Sequence, residues 1–114
     1  MKTYTGEQGY VYQYYFVGKR PGVDVDDGPS TEYIFDVTAD RKNMFAVSIF
    51  LPIAALDGWA RTHSRGLTDA EQYAAVKMRL FKAFDEIEDM LSQGRHLTVD
   101  VDLLEDMLGK LGVA

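Results

Sequence analysis

A chain of 114 residues with 46% hydrophobic and 26% charged side chains is long enough for one independent core, so a single domain over residues 1–114 is expected. With no cysteine it has no disulfide, no thiolate metal site and no cysteine nucleophile. Its net charge of −6 is concentrated after Thr68, where ten acidic residues stand against five basic ones, a balance that repels phosphate backbones and argues against a nucleic-acid partner.

The longest apolar run, Met44 to Leu56, is broken by Ser48 and Pro52 and is too short to cross a bilayer. The opening MKTYTGEQGY lacks the apolar stretch of a secretory signal. A cytoplasmic protein without a membrane partner is expected.

Residues 1–8 read as a loose leader, 9–51 as a sheet and 52–114 as a helical part. Gly9 opens a strand from Tyr10 to Val17, with Tyr10, Tyr12, Tyr14 and Phe16 on one face and Val11, Gln13, Tyr15 and Val17 on the other. The stretch from Gly18 to Ser30 reads as a loop, since Pro21-Gly22 suits a type II turn and Asp27-Gly28-Pro29 marks a bend. Asp24, Asp26 and Asp27 lack the alternate-position spacing of a calcium loop and read as a solvated acidic turn.

A hairpin follows. Its strands are Thr31 to Thr38 and Met44 to Leu51, joined by a polar turn from Ala39 to Asn43. The second of these is apolar on both faces, which asks for cover on both sides. Pro52 fits the first position of a short helix carrying Ile53, Leu56 and Trp59. Thr68 to Gly94 then reads as one long amphipathic helix of about 38 Å. It opens with a Thr68–Glu71 capping box, closes with a left-handed Gly94, and carries a stripe of Tyr73, Val76, Leu80, Phe84, Ile87 and Leu91. Its apolar arc is wider than one sheet face requires, and Arg79, Lys82, Glu86 and Asp89 with Glu71 form its polar side. Asp100 caps a last short helix. The expected fold is α+β: a small antiparallel three-stranded sheet followed by three helices (β-β-β-α-α-α), with the long helix packed on the sheet.

No catalytic or metal constellation emerges, and no cofactor is implied. His63 and His96 stand alone in sequence, in surface or capping roles, and Gly18-Lys19-Arg20 lacks the spacing of a phosphate loop. The residues that point to a ligand or an interface are the tyrosine row of Tyr10, Tyr12 and Tyr14, with Trp59, Lys77, Phe81 and Glu88. Lys77 and Glu88 are about 16 Å apart along one helix, so they could meet only between two copies related by a two-fold axis. The expected function is a non-catalytic protein-interaction domain that associates with itself through the apolar surplus of the third strand and the long helix. The alternative is a small-molecule-binding domain with a pocket between the tyrosine-rich strand and the helices.

Overall fold

The structure, a computed structural model, describes residues 1–24, 26 and 28–113. Rings on alternate residues force one side of the longest strand inward. β2 (Val11–Asp24) turns Tyr12, Tyr14 and Phe16 toward the helices and leaves Val11, Tyr15 and Val17 exposed. It lies antiparallel between β1 (Lys2–Thr5) and β3 (Gly28–Thr38). β3 is followed by the antiparallel β4 (Phe45–Pro52), and β5 (His96–Thr98) adds to β4 in parallel, giving the order β1-β2-β3-β4-β5.

After β4 come α1 (Ile53–His63), α2 (Asp69–Glu86) and α3 (Met90–Gln93), then β5 and α4 (Val101–Lys110). One core joins the inner face of the sheet (Phe35, Val37, Val47, Ile49, Leu51) to Trp59 of α1, Val76, Leu80 and Phe84 of α2, and Leu104 and Leu108 of α4. Asp100 accepts from the Leu103 amide at the start of α4, as expected of its cap. No helix among the described residues is long and apolar enough to cross a membrane.

The expected three-stranded antiparallel sheet with three helices is thus corrected to a five-stranded mixed sheet with four helices. The leader is not loose, because Lys2–Thr5 forms β1, paired from Lys2↔Tyr14 to Thr5↔Val11. The stretch expected as a loop is largely strand: β2 continues to Asp24 and β3 starts at Gly28. Part of its Asp27-Gly28-Pro29 bend lies outside the described residues. Pro21 is tolerated in the ladder because β1 reaches only as far as Tyr14, so β2 is an edge strand beyond it. A bulge between Phe16 and Gly18 re-aims the strand there. Gly22 permits a close approach here, since a Cβ would stand 3.2 Å from the Glu32 Cβ and 3.4 Å from the Phe50 ring.

The long helix is also shorter than expected. Its capping box forms as expected, with Glu71 N–H donating to Thr68 Oγ1 and Thr68 N–H to Glu71 Oε1. The Arg65 guanidinium, then the Thr68 backbone, holds the Glu71 carboxyl down at about 2. The helix stops at Glu86, with Ile87 already extended. Continuing it would stack Asp85 against Glu88 and Asp89 at the next turn, four acids at the negative end of a helix with no basic residue in its last turn. Asp89 instead caps α3 by accepting from the Ser92 amide. Gly94 is not left-handed (φ −114°); it is a glycine because a Cβ would collide with Met90. Pro52 ends β4 as the residue before α1 rather than its first turn.

The wide apolar arc of α2 is absorbed within the chain. Tyr4 of β1 stacks on Phe81 at 4.4 Å, Tyr12 stacks on Phe84 at 4.2 Å, and Tyr73 packs on Phe16 at 5.0 Å. Arg79, expected on the polar side, is partly buried and donates from Nε to the Thr98 carbonyl at 3.0 Å, tying α2 to β5. Phe84 lies in the middle of this seam. Phe84→Ala is expected to cost about 3–5 kcal/mol, whereas Tyr10→Ala, at an exposed ring, should stay within ~0.5 kcal/mol; urea denaturation of the two variants measures the contrast.

Candidate functional site

Of the residues picked out for a ligand or an interface, the structure gathers three. Lys77 Nζ lies 5.7 Å from the ring centroids of Tyr14 and Tyr73 and 5.9 Å from that of Phe81. The lysine crosses the edge of the core on its aliphatic stem and sets its charge against aromatic faces. Tyr12 and Tyr14 are buried in the seam, and Trp59 is fully buried beneath His63. Tyr10 is half exposed and stands apart. Glu88 is exposed beyond the end of α2, so it and Lys77 do not share a continuous helix.

The opposite face of the sheet holds an arrangement that sequence reasoning missed. The far end of the β2–β3 hairpin curls over this outer face, with Gly22 above the Phe50 ring, and carries Asp24 across to β5. Asp24, expected in a solvated turn, is 3% exposed. It accepts from Thr98 Oγ1 at 2.9 Å, and His96 Nε2 lies 3.4 Å from its Oδ1. The His96 ring stacks on Phe50 at 4.5 Å, so this histidine sits on a strand of the sheet rather than at a helix end.

Beside it Glu32, 9% exposed, accepts from Arg20 Nε at 2.9 Å and from Ser48 Oγ at 2.7 Å. The Arg20 hydrogen bond, then that of Ser48, lowers the Glu32 carboxyl below its ordinary value. Buried carboxylates cost several kcal/mol unless paired and hydrogen-bonded, and both here have partners. Parity on a strand places Arg20, Gly22 and Asp24 on one side, a signal present in the sequence once this stretch is read as strand rather than loop.

This clasp does not have the layout of a catalytic centre. Ser48 and His96 are neighbours across the β4–β5 ladder, and Asp24 is close, but the Ser48 hydroxyl donates to Glu32. That carboxylate is held below its ordinary pKa by Arg20 and is therefore a weak base for the hydroxyl. The second histidine, His63, is held at 2.9 Å from both oxygens of Glu105 and stacked on Trp59 at 4.1 Å, which ties the end of α1 to α4. Among the described residues, no group of three or more histidines and carboxylates is arranged to hold a metal ion.

The rest of the outer face is bare. Over β1 to β4 it presents Val11, Gln13, Tyr15, Ile34 and Ala46 beside the threonines Thr3 and Thr5, with Val17 exposed in the bulge. Tyr15 is 56% exposed. Among the described residues, Asp36 is the charged side chain on the strands of this region, while at its rim Asp40 accepts from Thr38 Oγ1 at 3.2 Å and Arg95 donates from Nε to the Ala46 carbonyl at 3.0 Å. Solvated sheet faces ordinarily alternate to charged residues, whereas the centres of protein interfaces are poor in charge and rich in tyrosine.

The clasp titrates in a defined direction. A lowered Glu32 pKa adds stability above the unfolded carboxylate value of about 4.3, and that stability is lost as pH falls through the folded value. Between pH 5 and strongly acidic conditions, the melting temperature of the native chain should therefore fall more steeply than that of Glu32→Gln. Parallel slopes in calorimetry would show that Glu32 gains nothing from Arg20 and Ser48.

No family model matches the chain, and no curated protein or solved structure matches it either.

Proposed function

We propose that this chain is a non-catalytic interaction domain that associates with itself through the bare outer face of β1–β4. The observation that carries the reading is the sparse charge of that face, Asp36 on its strands with Asp40 and Arg95 confined to the rim. A chain with a net charge of −6 repels its own copies over most of its surface, and like charges brought together across an interface cost several kcal/mol. A face of valine, tyrosine and threonine can meet its two-fold image without that cost.

The contact surface differs from the one expected. The third strand's surplus, Phe50, is covered by the curled hairpin and His96, and that of the long helix by Tyr4 and β2. Edge pairing is disfavoured too, because the edge strands β1 and β5 are only 4 and 3 residues long and the open part of β2 carries a bulge, Lys19, Arg20 and Pro21, all features that blunt an edge. Face-to-face packing remains.

Its size sets the strength. From Val11 to Val17 the face is roughly 20 Å long, and four strands make it about 15 Å wide. That is less than the ~800 Å² per partner of a standard stable interface, so association is weak and concentration-dependent. Sedimentation velocity across a concentration series should show a monomer passing to a dimer in the micromolar range or above. Tyr15→Lys should remain monomeric at every concentration with an unchanged far-ultraviolet spectrum. A native chain that stays monomeric at millimolar concentration, or a Tyr15→Lys dimer as tight as the native one, would refute the proposal.

A further inference from the structure

On the helical side a cleft of about 360 Å³ opens between the turn after β1, α2 and α4. Its volume falls within the range of small-molecule sites, about 300–1,000 Å³. The floor is apolar and adaptable: the stacked pair of Tyr4 and Phe81, with Met78 and Met107. The rim is acidic, formed by Glu7, Asp85, Glu86 and Asp106, with Lys82 and Lys110 the basic residues.

The two lysines are already spent. Lys82 Nζ is 2.7 Å from Glu86 and Lys110 Nζ is 3.1 Å from Asp106, both pairs one turn apart on their own helices. That leaves Glu7 and Asp85. Neither has a cation within ion-pair distance among the described residues.

Asp85 is held in place by neutral donors: Tyr4 Oη donates to Oδ2 at 2.7 Å and the Glu7 amide to Oδ1 at 2.9 Å. Gly6 makes this close approach possible, since a Cβ there would stand 3.1 Å from Asp85 Oδ1. Burial, then the hydrogen bond to Asp85, pushes the Tyr4 hydroxyl up to about 12, so it stays a donor throughout the physiological range. The carboxylate is fixed and hydrogen-bonded, yet its charge has no counter-ion.

We propose that this cleft is a binding site for a small amphipathic organic cation: an apolar, preferably aromatic body seated on Phe81, Met78 and Met107, and an ammonium group set against Asp85 and Glu7. An apolar floor alone would take any oily ligand. Two unbalanced carboxylates beside it select for positive charge. The site is on the opposite layer from the outer sheet face, so it stands or falls independently of self-association.

The test is a titration of the ¹⁵N-labelled chain followed by amide chemical shifts, with phenethylammonium as probe and phenethyl alcohol and 3-phenylpropionate as controls bearing the same ring. Phenethylammonium should shift amides of residues 4–8, 78–86 and 106–110 saturably. The alcohol should bind more weakly and the carboxylate should not bind. Glu7→Gln alters an exposed side chain and should weaken the cation by roughly three- to fivefold, as expected of a partly solvated ion pair, with the melting temperature unchanged. Equal shifts from cation and alcohol, shifts that map elsewhere, or an affinity unaffected by Glu7→Gln would each overturn the proposal.

Discussion

The stack of rings between the first two strands and α2 decides which side of the sheet is covered. Tyr12, Tyr14 and Phe16 alternate with Val11, Gln13, Tyr15 and Val17, so all the large inward rings meet one helix. Tyr73, Phe81 and Phe84 answer from that helix, with Tyr12 on Phe84 and Tyr14 edge-on to Phe81 at 5.5 Å. Ring pairs in such geometry add about 0.5–1.5 kcal/mol each beyond the area they bury. With α2 held there, α1 and α4 complete the same layer around Trp59 and Leu108. Among the described residues, no helix is left for the other face. The bareness of the outer sheet surface is thus a consequence of where the aromatic residues sit.

The chain covers part of that second face by a different means. Instead of a helix it uses the end of its own β2–β3 hairpin, bent over Phe50. Such a bend is eased by a residue without a side chain at the point of closest approach, which is Gly22. It also carries charged groups out of water, which is unfavourable unless each finds a partner. Arg20 with Ser48 satisfies Glu32, and Thr98 with His96 lies at Asp24. The polar contacts hold the curl down and the ring contact fills it. One half of the outer face is therefore closed by the chain itself, and the other is left to solvent or to a second molecule.

Local chemistry made much of this fold legible. The Thr68–Glu71 capping box, the Asp100 cap, the alternation from Tyr12 to Phe16 and the hairpin through Ala39–Asn43 each depend on a few neighbouring residues, and each is where it was expected. What escaped depends on distant partners. β1 and β5 are 4 and 3 residues long and exist only because β2 and β4 offer an edge to pair with. The stretch from Gly18 to Ser30 has the glycines and prolines of a loop, and tertiary demands overrode that reading: Pro21 lies on an open edge and Gly22 beneath no side chain of its own. The end of α2 was different, for its signal was present. Asp85, Glu88 and Asp89 at one-turn spacing announce repulsion, but the apolar stripe through Ile87 and Leu91 masked it. Of the residues picked out for a site, Tyr14, Lys77 and Phe81 do meet, because helix and strand periodicity predict faces well. The outer-face clasp needed the correct strand length before its parity could be read.

The same acids that end α2 also divide the molecule electrostatically. Asp85 and Glu86 lie on the helical layer near Glu7 and Asp106, and most of the excess negative charge of the C-terminal half is on that side. The sheet face carries Asp36 and a clasp whose carboxylates are partnered. A second copy approaching the helical layer meets like charge, and one approaching the sheet meets less. A small cation experiences the reverse. A two-layer fold keeps its faces a sheet and a helix apart, so the two surfaces differ in charge. Asp85, in the last turn of the shortened α2, is anchored there by the Tyr4 hydroxyl and the Glu7 amide, so the repulsion among these acids is met by neutral donors rather than by a longer helix.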